Sequence, residues 1–283
     1  MTDKQANADQ IAFWNSAAGE QWVKSQENMD KTLAGFGQLA IDALAPQPGQ
    51  AIIDVGCGCG ATSLALMDAM GLGKVLGVDI SAPMLARAEE RAKALGLDGI
   101  QFQQADAATF DFEANSLDGI FSRFGVMFFD DPVTAFANLR SALKSRGRLS
   151  FICWRPLSDN QWTMVPMRAA LEHIERPEAP PIGAPGPFAF GDHHRTQKIL
   201  QDAGFSNVVI EAKNLPMVFS IAPGKPLGLQ FAEMGPVGRV LMNAPDSQKD
   251  AIIASMTAAL KPFVQGDQVV MDGAVWLVTA TNS

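Results

Sequence analysis

AIIDVGCGCGATSLALMDAMGLGKVLGVDI, residues 51–80, decides the fold. A short apolar run ends in Asp54. Glycines follow at Gly56, Gly58 and Gly60, then a helical pattern, then a second apolar run ending in Asp79. The order strand, glycine turn, helix, strand, acid is that of a nucleotide-binding βαβ unit. Glycine lets the backbone turn sharply and approach a ligand where a Cβ would clash. A carboxylate closing the second strand suits the paired hydroxyls of a ribose.

The alternation continues outward from this unit. Strands are expected over Ala51–Val55, Lys74–Asp79, Ile100–Gln104, Leu117–Ser122 and Gly147–Trp154. Between them, helices are expected over Ala61–Met70, from a Ser81 cap to about Leu95, and from Asp131, with Pro132 early, to near Lys144. Such alternation predicts an α/β fold with a doubly wound, mostly parallel sheet. On the N-terminal side, Ile11 to Leu44 has a helical pattern carrying Trp14 and Trp22.

Beyond Trp154 the pattern is looser. A loop and helix reach His173, a Pro/Gly-rich loop spans Arg176–Phe190, and Asp192 opens a helix to about Ala203. A strand is expected within Asn207–Phe219, helical stretches over Leu227–Met242 and Ser247–Phe263, and a last strand over Gly273–Ala280. The chain thus divides into a helical cap segment (1–50), a cofactor-binding core (51–155), a lid and helix (156–205), and the last two strands with a helical insertion (206–283).

Composition bounds the function. The 283 residues are 47% hydrophobic, enough for a sizeable core. A net charge of −8 gives no global basic footprint for nucleic acid and no cationic membrane-binding face. The first residues lack the charged start and apolar core of a signal peptide, and no apolar run is long enough to span a bilayer. Three cysteines are too few for a disulfide framework, so a cytoplasmic setting is expected. The acidic surface is compatible with a homodimer. The absence of tyrosine removes phenols from the candidate bases.

The glycine spacing separates ligand classes. A dinucleotide site prefers a third glycine where this chain has Ala61. Asp54, directly before the loop, would repel phosphate oxygens and suits a ligand carrying an ammonium group. S-adenosylmethionine has no phosphate, a cationic sulfonium and an amino-acid end. The motifs IIDVGCGCGATS (52–63), GVDIS (77–81), QQADAATF (103–110), LDGIFSRFGVMFF (117–129) and GRLSFICW (147–154) run in order through the first half of the chain. On these the chain resembles the class I S-adenosylmethionine-dependent methyltransferases, in particular the small-molecule group related to the ubiquinone/menaquinone-biosynthesis methyltransferases.

The resemblance implies a seven-stranded Rossmann-like sheet with a helical cap, and methyl transfer from S-adenosylmethionine to a small-molecule acceptor. It also implies roles residue by residue. Asp54, Gly56, Cys57 and Gly58 would border the methionine moiety, Asp79 would take the ribose, and Ile80 and Met84 would pack on the adenine. Asp106 would accept the adenine amino proton beside Ala107, with Ser122 and Arg123 as further cofactor contacts. Trp22, Phe124, Met127, Trp154, Phe188 and Phe190 are candidate walls of a substrate pocket between the sheet mouth and the Trp154–Phe190 lid. Candidate bases are His193, His194 and His173, with Glu172 and Asp192 as weaker alternatives. Cys57 and Cys59, one residue apart in a glycine loop, supply neither the number nor the geometry of a zinc site, so no metal is expected. Two other readings remain open: an NAD-dependent oxidoreductase on a similar βαβ unit, and a non-catalytic cofactor-binding module.

Overall fold

The computed structural model describes residues 7–176, 178, 181–233 and 237–283, the side chain of residue 239 excepted. Expectations that fall on 1–6, 177, 179, 180 and 234–236, parts of the N-terminal cap segment, the Pro/Gly-rich loop and the Leu227–Met242 stretch, lie outside the described residues. Two compact units are present: 1–154 with 183–213 and 275–283, and 155–182 with 214–274.

The first unit carries most of the sheet. Strands β1 (Ala51–Val55), β2 (Lys74–Asp79), β3 (Ile100–Gln104), β4 (Leu117–Arg123) and β5 (Leu143–Trp154) pair in parallel. β6 (Ser206–Ser220) and β8 (Gln268–Thr281) complete the order β3-β2-β1-β4-β5-β8-β6, and the two-residue β7 (Val264–Gln265) pairs with β8 alone. β8 runs antiparallel to β5, with Cys153 opposite Trp276 and Trp154 opposite Val275. The strand order reverses between β1 and β4. In open α/β sheets, such a switch point opens a crevice at the carboxyl ends of the strands.

Helices cover both faces of the sheet because their apolar residues recur at helical spacing. In α3 (Gln26–Leu44), Leu33, Phe36, Ala40, Ile41 and Leu44 are buried, and the helix packs on β4 and β5. The Ser150 hydroxyl of β5 donates to the Ala40 carbonyl at 2.8 Å, pinning that helix to the sheet. In α6 (Pro132–Ala142), Ala135, Phe136 and Leu139 are fully buried, and the Phe136 ring stacks on Phe151 of β5. The Asp131 side chain caps α6 by accepting from the Thr134 amide.

Two short helices, α1 (Ala8–Trp14) and α2 (Ala17–Lys24), precede α3. α4 (Ala61–Met70) and α5 (Ala82–Ala94) connect the first three strands. Ser81 is the N-cap residue of α5, but its hydroxyl makes no cap bond; it donates instead to the Trp14 carbonyl at 2.8 Å.

The second unit is helical around its own core. α7 (Gln161–Ala170), α9 (Leu227–Ala232), α10 (Val237–Asn243) and α11 (Asp246–Leu260) bury Ala169, Ala170, Val240, Leu241, Ile252 and Met256 together. The single helical stretch expected over Leu227–Met242 is thus two helices, α9 and α10. The strand expected from Gly273 begins five residues earlier, and β5 begins at Leu143 rather than Gly147. In both strands the added residues are polar in part, so hydropathy alone does not mark them. Among the described residues, no helix is long and apolar enough to cross a membrane.

Candidate functional site

The glycine loop turns at the carboxyl end of β1. Gly56, Gly58 and Gly60 have φ of 69°, 52° and 79°, a region costly to residues with a Cβ. Gly56 has a second constraint, since an added Cβ would lie 2.6 Å from the Gly125 Cα in the loop after β4. The two loops therefore cross with no side chain between them. The Ser122 hydroxyl fastens the crossing by donating to the Val55 carbonyl at 2.8 Å, and it accepts from the Gly125 amide at 3.2 Å.

Asp79 shapes the same loop from β2. Its Oδ2 accepts from the Gly58 amide at 2.8 Å and its Oδ1 from the Ser81 amide at 2.9 Å. A carboxylate has about four acceptor positions, so capacity for ligand hydroxyls remains. Met84 and Ala88, one turn apart on α5, face the loop: a Cβ on Gly58 would sit 3.7 Å from the Met84 sulfur, and one on Gly60 2.9 Å from the Ala88 Cβ.

Asp54 is fully buried at the end of β1. Its Oδ2 accepts from the Thr62 and Ser63 hydroxyls of α4, each at 2.7 Å, while its Oδ1 has no partner. Burial outweighs those two hydroxyls and the Arg123 charge, and pushes its pKa from the ordinary 3.8 to about 6. The folded state thus holds the Asp54 proton more tightly than the unfolded chain. The resulting stabilisation is full below 3.8 and is lost as pH rises through about 6. It amounts to about 3 kcal/mol. Asp79 shifts upward from the same cause, burial, so Asp54→Asn isolates the Asp54 share. Urea unfolding of both chains from about pH 3.5 to about pH 7.5 should show the parent losing roughly that much relative to the variant. A constant difference would mean that Asp54 ionises as freely inside as outside.

Asp106 lies in the loop after β3. Its Oδ1 accepts from the Ala108 amide at 2.9 Å, and the Asn7 side-chain amide donates to its Oδ1 and Oδ2 at 3.1 and 3.0 Å. Asn7 in turn accepts from the Asp130 amide at 2.9 Å. No motif points to Asn7. Ile80 offers its carbonyl to the Asn15 and Gln104 side chains, and Ala107 is buried behind Asp106. Cys57 and Cys59 are free, buried thiols, and burial pushes Cys59 up to about 12 and Cys57 well above its ordinary value. Among the described residues, no group of His, Cys, Asp and Glu is arranged to hold a metal.

The aromatic candidates separate. Phe124 has φ of 61°, unusual for a bulky residue, and its ring stacks on Trp154 at 4.2 Å and 10°. Phe36 meets both rings edge-on. Met127 is buried in the short turn after Phe124, and its carbonyl accepts from the Gly186 amide. Trp22 instead packs edge-on against Trp14, which also meets Phe128. Phe190 is in the core, 2% exposed beside Phe136 and Phe151, while Phe188 is half-buried.

The histidines separate too. His193 lies half-buried against Trp276, His194 is exposed beside it, and Asp192 caps their helix, α8 (His193–Asp202), by accepting from the His194 and Arg195 amides. His173 is in the second unit, 2.7 Å from the Ser255 hydroxyl, and Glu172 there is exposed.

Two buried carboxylates therefore flank the glycine loop. A pyrophosphate would meet both, whereas a ligand with hydroxyls, an ammonium and no phosphate suits Asp79 and the open oxygen of Asp54. Comparison with known proteins agrees. Residues 52–147 match the methyltransferase-domain family. The chain is 33% identical over 154 residues to aklanonic acid methyltransferase of Streptomyces sp. strain C5, covering 51% of this chain and 70% of that one. It is 32% identical to the demethylmenaquinone methyltransferase of Bacillus cytotoxicus, covering 43% of this chain and 50% of that one. In fold it is similar to Haemonchus contortus phosphoethanolamine N-methyltransferase 2, solved with S-adenosylhomocysteine and phosphomonomethylethanolamine. That likeness has a TM-score of 0.51 at 19% identity, covering 87% of this chain and 52% of that one. The chain belongs to the class I S-adenosylmethionine-dependent methyltransferases, and its cofactor is S-adenosylmethionine.

Proposed function

We propose that the chain methylates a small, partly hydrophobic acceptor. The observation that carries this reading is the convergence of Asp54, Asp79 and Arg123 at the carboxyl ends of β1, β2 and β4, beside the stacked Phe124–Trp154 pair. Asp79 would accept from the ribose hydroxyls, Asp106 from the adenine amino group, Asp54 from the ammonium, and Arg123 would meet the carboxylate of the methionine end. Gly56, Cys57 and Gly58 would line that end with backbone, Ile80, Met84 and Ala107 would border the adenine, and Ser122 holds the loops that face it. The similar proteins named for aklanonic acid and demethylmenaquinone support a small-molecule acceptor.

When bound, S-adenosylmethionine supplies an already activated methyl group open to in-line displacement. What remains for the chain is to align the acceptor and to exclude water. In the best intramolecular systems alignment contributes roughly 7–11 kcal/mol. Phe124, with Trp154 stacked on it, would supply an apolar wall for the acceptor at the sheet mouth. An acceptor that arrives as a phenolate, thiolate or stabilised carbanion needs no base, and a hydroxyl would need one, for which His193 is the half-buried candidate of the first unit.

The test has two stages. Calorimetry should show S-adenosylhomocysteine binding to the folded chain. A panel of phenols, thiols, amines and acidic C–H compounds is then screened for release of S-adenosylhomocysteine. Release with one class fixes the acceptor atom. Release from none of these classes would overturn the small-molecule acceptor.

A further inference from the structure

A charge cluster joins the N-terminal helices to the glycine loop, and it involves residues outside every motif. Asp30, in the second turn of α3, takes Arg91 Nη2 on its Oδ2 at 3.0 Å and lies 3.9 Å from Arg123 Nη2 through its Oδ1. The Gln26 side-chain amide also donates to Oδ2, and Arg91 donates through Nη1 to the Cys59 carbonyl of the glycine loop at 2.6 Å. One carboxylate therefore ties together α3, α5, the glycine loop and the end of β4.

The pairing is unequal. Arg91 has close partners on two sides. Arg123, its side chain 12% exposed, stands beyond hydrogen-bond distance from Asp30. Arg123 also passes beside Gly37 and Thr62: a Cβ on Gly37 would sit 3.4 Å from the Arg123 Cδ and 3.3 Å from the Thr62 methyl. Thr62 is bonded to Asp54, whose other oxygen has no partner. One corner of the fold thus holds a carboxylate oxygen lacking a donor and a guanidinium lacking a close acceptor. An α-amino-carboxylate carries the complementary pair, ammonium for the first and carboxylate for the second.

We infer that Asp30 is the positioning residue for the amino-acid end of the cofactor, drawing Arg123 away from Asp54 and fixing the glycine loop through Arg91. The inference rests on the cofactor placement proposed above. With the Asp30 charge removed, Arg123 would turn to the open oxygen of Asp54. The two groups would then neutralise each other, and neither would be free for the ligand.

Two ligands separate this role from general support of the fold. S-adenosylhomocysteine carries the amino-acid end, and 5′-methylthioadenosine has the same adenosine and sulfur without it. Asp30→Asn and Asp30→Ser are both made, and whichever keeps the parent's cooperative melting is titrated with each ligand. The expected result is an S-adenosylhomocysteine affinity about tenfold weaker or more, with 5′-methylthioadenosine changed by less than about twofold. Asp30→Glu, which keeps the charge, should restore the ratio of the two affinities to within about threefold of the parent. Equal losses for both ligands, or no loss for either, would overturn the positioning role while leaving the cofactor reading intact. A parent chain that binds neither ligand would overturn both.

Discussion

Asp79→Ala is expected to weaken S-adenosylhomocysteine binding about a thousandfold, a loss near 4 kcal/mol. Two effects act together. The ribose hydroxyls lose a charged acceptor, and hydrogen bonds to charged groups contribute about 1.5–3 kcal/mol each. The Gly58 and Ser81 amides also lose the carboxylate that accepts from them at 2.8 and 2.9 Å, so the loop that should meet the ligand is no longer held. Asp79→Asn should be intermediate. Its amide nitrogen must point at one of those two backbone donors, so one side of the site fails while the other survives. Stability should change far less than affinity, because removing a buried carboxylate offsets part of the lost bonding. Calorimetry together with thermal melts checks both halves. Undiminished affinity in Asp79→Ala would remove the ribose role and with it the placement of the cofactor.

Gly56→Ala is expected to destabilise the chain by about 4 kcal/mol in urea unfolding. An L-residue at φ 69° costs about 1–2 kcal/mol. The new Cβ would also press within 2.6 Å of the Gly125 Cα, a backbone atom that cannot rotate away. Crowding of this kind typically costs about 1–3 kcal/mol. Gly71→Ala is the control: its φ is 66°, and nothing lies within 4 Å of an added Cβ. The difference between the two variants measures the crossing of the glycine loop and the loop after β4. Equal losses would mean that the two loops yield to each other and that the close approach is not a constraint on the fold.

Much of this architecture is legible in the residues alone. β1, β2 and α4 begin and end where the apolar runs and glycines say, because a buried parallel strand must be apolar and the turn after it must allow positive φ. The helical insertion is less legible, since short helices such as α9 and α10 depend on the packing of their unit rather than on long periodic patterns. The polar starts of β5 and β8 escape hydropathy for a related reason: their strand conformation comes from pairing with neighbours.

The candidate site divides along the same line. Asp79 and Asp106 stand out because strand ends announce them. Asp30 and Arg91 do not, although Arg91 lies seven residues after Met84 and so shares its helical face. Asn7 has no local signal at all. Phe190 sits in the same kind of aromatic context as Phe124 by sequence, yet one is core and the other stacks on Trp154 at the sheet mouth.

The sequence by itself determined the parallel βαβ core and the glycine turn, because each is a local demand on backbone conformation or on burial period, and its ordered motifs pointed to the class of cofactor through their resemblance to a known family. Only the tertiary structure decided how the acids divide their work: Asp54 bonded inward to two hydroxyls, Asp79 gripping the loop, and Asp30 holding two arginines. Electrostatic pairing depends on distance through space. Asp30, Arg91 and Arg123 lie on three separate elements, and only folding brings them together.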